Sequence, residues 1–275
     1  MIKLSISIVS YKSPKEELEA LFESLLASIL FLKQEVDLDV VPIYLIDNSY
    51  DTSFCYDELE AKQDQFENLK VKLVELRGHG NVGYGRAHNL VLDELVSDLH
   101  LILNPDVTLA QDALLNAIKI IHSNHEIKML SPNASAPSGE KQYLCKRYPS
   151  VLTLLLRGAL PNWCKNNFSR RLESYEMREL PENKISSGIL LVSGCFMLVD
   201  TQALKELKGF DKMYFLYFED FDLSLRMNRL GKVVYAPTVS ITHSGGYTST
   251  KGIKHIVIFI SSALKFFNKF GWKFI

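Results

Sequence analysis

Three acids stand together in Glu219-Asp220-x-Asp222, directly behind Tyr214, Phe215, Tyr217 and Phe218. Aromatic faces beside carboxylates hold sugars, and a carboxylate in such a pocket can deprotonate a hydroxyl. Acids in the first turn of a helix are also what the helix dipole favours, so one or two of the three need no further role. Asp106, in Asn104-Pro105-Asp106-Val107, follows an apolar run. A carboxylate there suits Mg²⁺ or Mn²⁺ held against a diphosphate, and it equally suits the cap of a following helix. His243 closes another apolar run ahead of Ser244-Gly245-Gly246, a reasonable place for a metal ligand, although a lone histidine is more often structural. Gly78-x-Gly80-x-x-Gly83 matches the dinucleotide fingerprint, with Asp106 further along as its acid. The match is weak. It follows the third strand instead of the first, its acid comes after a proline, and a tight turn needing positive φ explains the glycines as well.

These residues need a scaffold. Ile2–Val9, Val40–Ile46, Val71–Leu76 and His100–Leu103 are apolar runs that read as strands, with a short fifth at Met129 and Leu130. A helix between the first two opens on Ser13, Pro14 and Glu16 as a capping box and buries Leu18, Leu21, Phe22, Leu25, Leu26 and Ile29. Further helices carry Ala87, Leu90, Val91 and Leu95, then Leu114, Leu115, Ile118 and Ile121. Near-continuously apolar strands alternating with helices predict a mostly parallel α/β sheet. Tyr11, Asp47, the glycine cluster and Asp106 all follow strand ends, where open α/β sheets bind ligands. From Ser131 to Lys184 the pattern breaks into turns and scattered arginines. It returns as a strong strand over Gly188–Val199, a helix ending at Gly231, and strands Val233–Ala236 and Val239–Thr242. One α/β domain over 1–250, with an irregular insertion at 131–184, fits better than two domains.

Composition excludes several classes. Of 275 residues 47% are hydrophobic and 23% charged, so neither a disordered chain nor a coiled coil is expected. Thirty-one Lys+Arg against 32 Asp+Glu argue against a nucleic-acid partner. Cys55, Cys145, Cys164 and Cys195 form no C-x-x-C pair and read as incidental thiols in a reducing compartment. Without a signal peptide or an apolar run long enough to span a bilayer, the expectation is a cytoplasmic protein.

In order along the chain come Val9-Ser10-Tyr11, Ile46-Asp47-Asn48-Ser49, Asn81-x-Gly83-x-Gly85-x-x-x-Asn89, Leu103-Asn104-Pro105-Asp106-Val107, Gly209-Phe210-Asp211, Phe218-Glu219-Asp220-x-Asp222-Leu223-x-x-Arg226 and His243. This series, over residues 4 to 246, resembles the family 2 glycosyltransferases, and within them the bacterial rhamnosyltransferase branch. The resemblance implies a GT-A fold, a nucleotide-sugar donor and a divalent cation, Mg²⁺ or Mn²⁺; the donor expected is a dTDP-sugar with L-rhamnose as the deoxyhexose, and one base with no evident second nucleophile favours inversion at the anomeric carbon. Carried onto this chain, Ser10, Tyr11 and Asp47 contact the nucleoside, and Asn81, Gly83, Asn89 and Asn104 lie along the nucleotide sugar. Asp106 and His243 hold the metal, with Asn104 replacing the first acid of the family's D-x-D. Asp220 is the base, with Glu219 beside it. Arg147 and Tyr217 are expected on the acceptor, a saccharide or lipid-linked saccharide of bacterial surface polysaccharide.

Two rivals remain at this level. A Rossmann-type NAD(P) oxidoreductase would rest on Gly78, Gly80 and Gly83, but the positions four after Tyr143 and Tyr214 are Arg147 and Phe218 where a Tyr-x-x-x-Lys pair needs lysine. A catalytically inactive nucleotide-sugar-binding module is opposed by Asp106, Asp220 and His243. Residues 251–275 have five lysines and no acid, with apolar residues at three and four. That predicts a basic amphipathic helix. Its first half is expected to pack on protein, and residues 265–275 to make any peripheral contact with the inner face of the cell membrane. Oligomeric state is not legible.

Overall fold

The computed structural model describes residues 1–49, 63–158, 167–245 and 252–275. Cys55, Cys164, Lys251 and the expected turn at Pro161-Asn162 lie outside these residues. Cys145 and Cys195 are buried free thiols.

Strands β1 (Leu4–Ser10), β2 (Val41–Asp47), β3 (Val71–Leu76) and β4 (Leu99–Leu103) are the parallel half of the sheet. Next come β5 (Val107–Leu109), β6 (Ile127–Ser135), β7 (Lys141–Gln142), β8 (Cys145–Lys146), β9 (Ser186–Ser187) and β10 (Leu191–Val192). The last two are β11 (Phe196–Asp200) and β12 (Lys232–His243). The main sheet runs β3-β2-β1-β4-β11-β6-β12-β5. β11 is inserted antiparallel to both β4 and β6, while β12 pairs parallel with β6. A dinucleotide fold would continue in parallel past β4, so the antiparallel β11 removes the oxidoreductase reading. The glycines of the weak fingerprint are turn residues: Gly78, Gly80 and Gly83 have φ of 86°, 67° and 93°.

Helix Lys15–Glu35 buries the six residues its periodicity marks. It starts one residue later than its sequence suggests. Pro14 sits at the cap position with extended ψ and no side-chain cap bond is made, so Ser13 does not cap it. Asp106 is followed by strand β5, not by a helix, which removes the capping explanation for that carboxylate. The single strand expected over Gly188–Val199 is broken into β10 and β11 by Ser193-Gly194-Cys195, and the two strands expected after Gly231 are one twelve-residue strand with an irregularity between Ala236 and Ser240. The 131–184 segment is more regular than its turn residues imply. It holds the end of β6, β7, β8 and helices Val151–Gly158 and Ser169–Tyr175.

The C-terminal helix, Ile253–Phe270, packs in the reverse of the expected way. Its second half buries Phe266 and Phe267 against Tyr214, Phe218 and Leu191. Lys265 Nζ donates to the Met213 carbonyl at 2.8 Å, and Lys269 bridges Asp211 at 2.6 Å and the fully buried Asp222. Asp222 in turn pairs with Arg226, which donates to the carbonyls of Leu207 and Gly209. Two of the lysines assigned to a membrane are therefore internal ties. The first half instead exposes Ile253, Ile256, Val257 and Ile260.

Candidate active site

The carboxyl ends of β1, β2 and β4 meet at one edge of the sheet. Since β11 runs the other way, its amino end lies there too: Phe196 pairs with Leu103, and Asn104 N–H donates to the Cys195 carbonyl at 2.9 Å. Ser10 pairs in register with Asp47, and both are buried, while Tyr11 is half exposed. Asp47 accepts from Ser49 N–H at 2.8 Å, and Lys12 N–H donates to Ser49 Oγ at 3.0 Å, closing the two strand ends on each other. Asn48 joins His79 to the Gly83 carbonyl.

The Gly83 region works by close backbone approach. A Cβ on Gly83 would lie 2.2 Å from the Phe215 carbonyl oxygen, and one on Gly85 2.7 Å from Phe210. Tyr84 N–H donates to that same Phe215 oxygen at 3.0 Å. Asn81 accepts from Gly83 N–H, and Asn89 clamps Phe210 with both ends of its amide, at 2.7 and 2.8 Å. Asn89, expected along the nucleotide, thus spends its side chain on the Gly209–Phe210 backbone. Its reach to a nucleotide is indirect: it fixes the loop that precedes the acids.

That loop is strained where it delivers them. Tyr217 and Phe218 both have left-handed backbones, φ 70° and 67°, a conformation aromatic residues avoid. The C-terminal helix holds it there. Ser262 Oγ donates to the Leu216 carbonyl, Tyr217 hydroxyl bonds His255 Nδ1 at 3.1 Å, and Phe218 sits 5.3 Å from the Phe266 ring. Helix Glu219–Met227 then begins. Asp220 accepts from Gly194 N–H at 3.0 Å and from Phe221 N–H at 2.9 Å. Burial pushes its carboxyl up to about 6, against those backbone donors, which pull it down. A carboxylate tuned toward neutrality and still partly open to solvent suits a general base.

Glu219 is different. It is 4% exposed, and its Oε2 has no hydrogen-bond partner among the described residues. Burial, then the charge of Asp220, raises its carboxyl well above the ordinary carboxylate range. Asp222 serves the ion network described above.

Asp106 and His243 come together, as β5 pairs β12 with Val107 opposite His243. Gln142 Nε2 donates to the His243 carbonyl at 2.8 Å, so its Oε1, 2.7 Å from His243 Nδ1, takes that ring's N–H. The lone pair of Nε2 then faces Asp106 Oδ2 at 3.4 Å. A lone pair against a carboxylate is repulsive unless a proton or a cation lies between them. A carboxylate oxygen and an imidazole nitrogen converging this way would fit a divalent cation held against phosphate oxygens. Asn104 Oδ1, buried and without a partner among the described residues, is a further oxygen beside them in sequence. The described residues contain no group of three or more His, Cys, Asp or Glu arranged for a metal.

Sequence reasoning missed three contributors. Gly194 supplies the N–H that holds Asp220; nothing in Ser193-Gly194-Cys195 marks it. Tyr84 donates to the Gly194 carbonyl at 2.6 Å and sits close enough to Glu219, Asp220 and Asp106 for their charges to add to its burial in raising its pKa. Glu17, partly buried on the first helix, has its carboxyl raised by burial and then by Asp106. Arg147 is turned away from any such role: its guanidinium bonds Ser174 and Glu179 at the surface.

The fold is the GT-A fold seen in solved glycosyltransferases. It matches TarS residues 1–349 of S. aureus (TM-score 0.58, 16% identity, 88% of this chain and 60% of that one). It matches GalNAc-T7 with UDP, GalNAc and Mn²⁺ (0.63, 13%, 98% and 48%), and a mannosyltransferase of Pyrobaculum calidifontis with GDP-Man and Mn²⁺ (0.59, 15%, 90% and 58%). No family model matches the chain. In sequence it is similar to the N-acetylglucosaminyl-diphospho-decaprenol L-rhamnosyltransferase of Mycobacterium tuberculosis, 29% identical over 206 residues, 69% of this chain and 63% of that one. It is also similar to the rhamnosyltransferase WbbL of Escherichia coli K12, 25% identical over 175 residues, 60% of this chain and 61% of that one. The chain spans less than two thirds of the length of these curated relatives. The likeness to GT-A glycosyltransferases, with bacterial rhamnosyltransferases among them, is carried by fold and sequence alike.

Proposed function

We propose that this protein is an inverting glycosyltransferase that moves L-rhamnose from dTDP-rhamnose to a hydroxyl of a lipid-linked saccharide, in bacterial surface polysaccharide synthesis. The observation that carries the reading is Asp220. Its carboxylate is held by the Gly194 N–H, at the sheet edge that also bears Ser10, Asp47 and the Asp106–His243 pair. Ser10 and Asp47 would bind the nucleoside, with Asn81, Gly83 and Asn104 along the nucleotide sugar. Asp106 and His243 would hold Mg²⁺ or Mn²⁺, which when bound offsets the charge of the leaving diphosphate. Asp220 takes the proton from the acceptor hydroxyl as its oxygen attacks the anomeric carbon from the face opposite the diphosphate. A single base of this kind, with the neighbouring Glu219 buried, favours one displacement and hence inversion. Tyr217, half-buried on the strained turn, would contact the acceptor.

A thermal-shift screen tests the donor. dTDP-sugars are expected to stabilise the protein in a manner enhanced by Mg²⁺ or Mn²⁺. Stabilisation by NAD(P) and by no sugar nucleotide would defeat the reading.

The C-terminal helix supports a peripheral site at the inner membrane face, through a different surface from the one its lysines suggest. Ile253, Ile256, Val257, Ile260 and Leu264 repeat at three and four and are all exposed. Beyond them Trp272 stacks on Phe267 at 5.2 Å and Phe274 on Trp272 at 5.6 Å, prolonging the ridge with exposed rings. Lys254 and Lys273 are exposed and no acid occurs from 251 onward. An apolar ridge with terminal aromatic rings and only basic charge suits an anionic interface. Among the described residues no helix is long and apolar enough to cross a membrane. The protein is expected to sediment with phosphatidylglycerol vesicles at low salt, and Ile256→Ser with Ile260→Ser to abolish this. A wild-type protein that stays in the supernatant, or a dimer that the two changes dissociate, would overturn it.

A further inference from the structure

Beside His243 lies a cleft of about 580 Å³, walled by the 140–146 segment, by Arg157 of helix Val151–Gly158, and by Glu176 and Arg178 just past the end of helix Ser169–Tyr175. Its charge is unbalanced. Glu176 receives Arg178 at 2.7 Å, Arg157 at 3.8 Å and Lys146 at 4.0 Å, three cations on one carboxylate. All four line the cleft, and Lys146 is 7% exposed. Gathering cations around a single acid in a half-buried place raises the energy of each, and a structural role would be met by one of them. Aromatic rings hold the heads in position. Arg157 lies over the Tyr175 ring at 5.5 Å and Arg178 over Tyr143 at 5.0 Å. The excess charge is felt locally: burial, and then Arg157, lower Lys146 to about 8.

The cleft adjoins both halves of the site. His243 is in its wall. Tyr175, beneath Arg157 and Lys146, is pushed up to about 12 by burial, with the charges of Asp220 and Glu176 adding to it. A ligand anion seated here is therefore near the base and near the Asp106–His243 pair.

We infer that Lys146, Arg157 and Arg178 form a second anion site that takes a phosphate or diphosphate carried by the acceptor. This rests on the glycosyltransferase reading for the word acceptor, though the anion site itself does not. Two guanidinium forks and an ammonium match the several oxygens of a diphosphate, which a neutral saccharide would not need.

The test saturates the donor site with dTDP and Mg²⁺ and titrates two probes by calorimetry, farnesyl diphosphate and inorganic pyrophosphate. Both are expected to bind the wild-type protein in a salt-sensitive manner. Arg157→Gln with Arg178→Gln is expected to weaken both at least tenfold and to leave dTDP affinity within twofold. Tighter binding of farnesyl diphosphate than of pyrophosphate would assign the anion to a lipid carrier; equal binding would assign it to the phosphates alone, and either supports the site. Parallel loss of dTDP affinity would give these cations to the donor and overturn the inference. So would unchanged probe binding in the variant, which would leave an internal ion cluster. If wild type binds farnesyl diphosphate but no nucleotide, the anion site stands and the glycosyltransferase reading falls.

Discussion

Asp220→Asn is expected to lower turnover by about 10²–10⁴ while leaving donor affinity unchanged, the usual scale for loss of a general base. Its pH behaviour separates this from a structural defect. The wild-type kcat/KM should fall below pH ~6, where Asp220 takes up a proton. The variant's residual rate should lose that limb. The stability sign runs the other way. Because the folded-state pKa lies above the ordinary 3.8, the folded protein holds this proton more tightly than the unfolded chain does. The group therefore favours folding below pH ~3.8, and that contribution is lost as pH rises through about 6. Asp220→Asn removes the cost of the buried charge, so its Tm should exceed that of wild type at pH 8 and by less at pH 5. A variant with wild-type turnover would take Asp220 out of the mechanism, and one less stable at pH 8 would show that its charge carries no burial cost.

Asp106→Ala is expected to abolish measurable Mn²⁺ uptake in the presence of dTDP and to reduce turnover by about 10²-fold, since a cation at a leaving diphosphate contributes several kcal/mol. His243→Ala should weaken Mn²⁺ less, because a carboxylate supplies charge where the imidazole supplies only a lone pair. Gln142→Ala provides the control on positioning. Gln142 would not itself hold the cation, but it bonds the His243 ring; its loss frees that ring to place its proton on Nε2, so metal affinity should drop by roughly 10-fold. Full activity of wild type in excess EDTA, or of Asp106→Ala, would move the diphosphate onto backbone amides and basic side chains.

Local information was enough for much of this protein. The apolar runs of β1, β2, β3 and β4 announce themselves because strands buried on both faces carry little but aliphatic residues. The acids and the histidine were found because they interrupt that pattern at strand ends. The order of the short motifs named the fold class, as motif order survives where each motif alone is weak.

What failed depended on contacts made across long stretches of chain. Ser5 and Ser7 look like flaws in an apolar strand, but they bond His100, and Ser7 also bonds His88, some eighty to ninety-five residues away. Burial lowers the two histidines, His100 to about 3, so they serve as neutral polar core. The turn at Gly194 is invisible in an apolar segment because its purpose, a backbone N–H for Asp220, lies on another helix. Asn89 reads as a ligand residue until Phe210 comes into contact with it. The C-terminal helix shows the limit most clearly. Its sequence has apolar residues on nearly every side, so periodicity could not say which face is covered. Asp211, Asp222 and the Met213 carbonyl decided that: they claim Lys269 and Lys265, turn Phe266 inward, and leave Ile256 and Ile260 outside. Sequence fixes which groups are present and their local spacing; only the packed chain determines which of them meet, because a charge or an amide goes to whichever partner the sheet edge brings within reach.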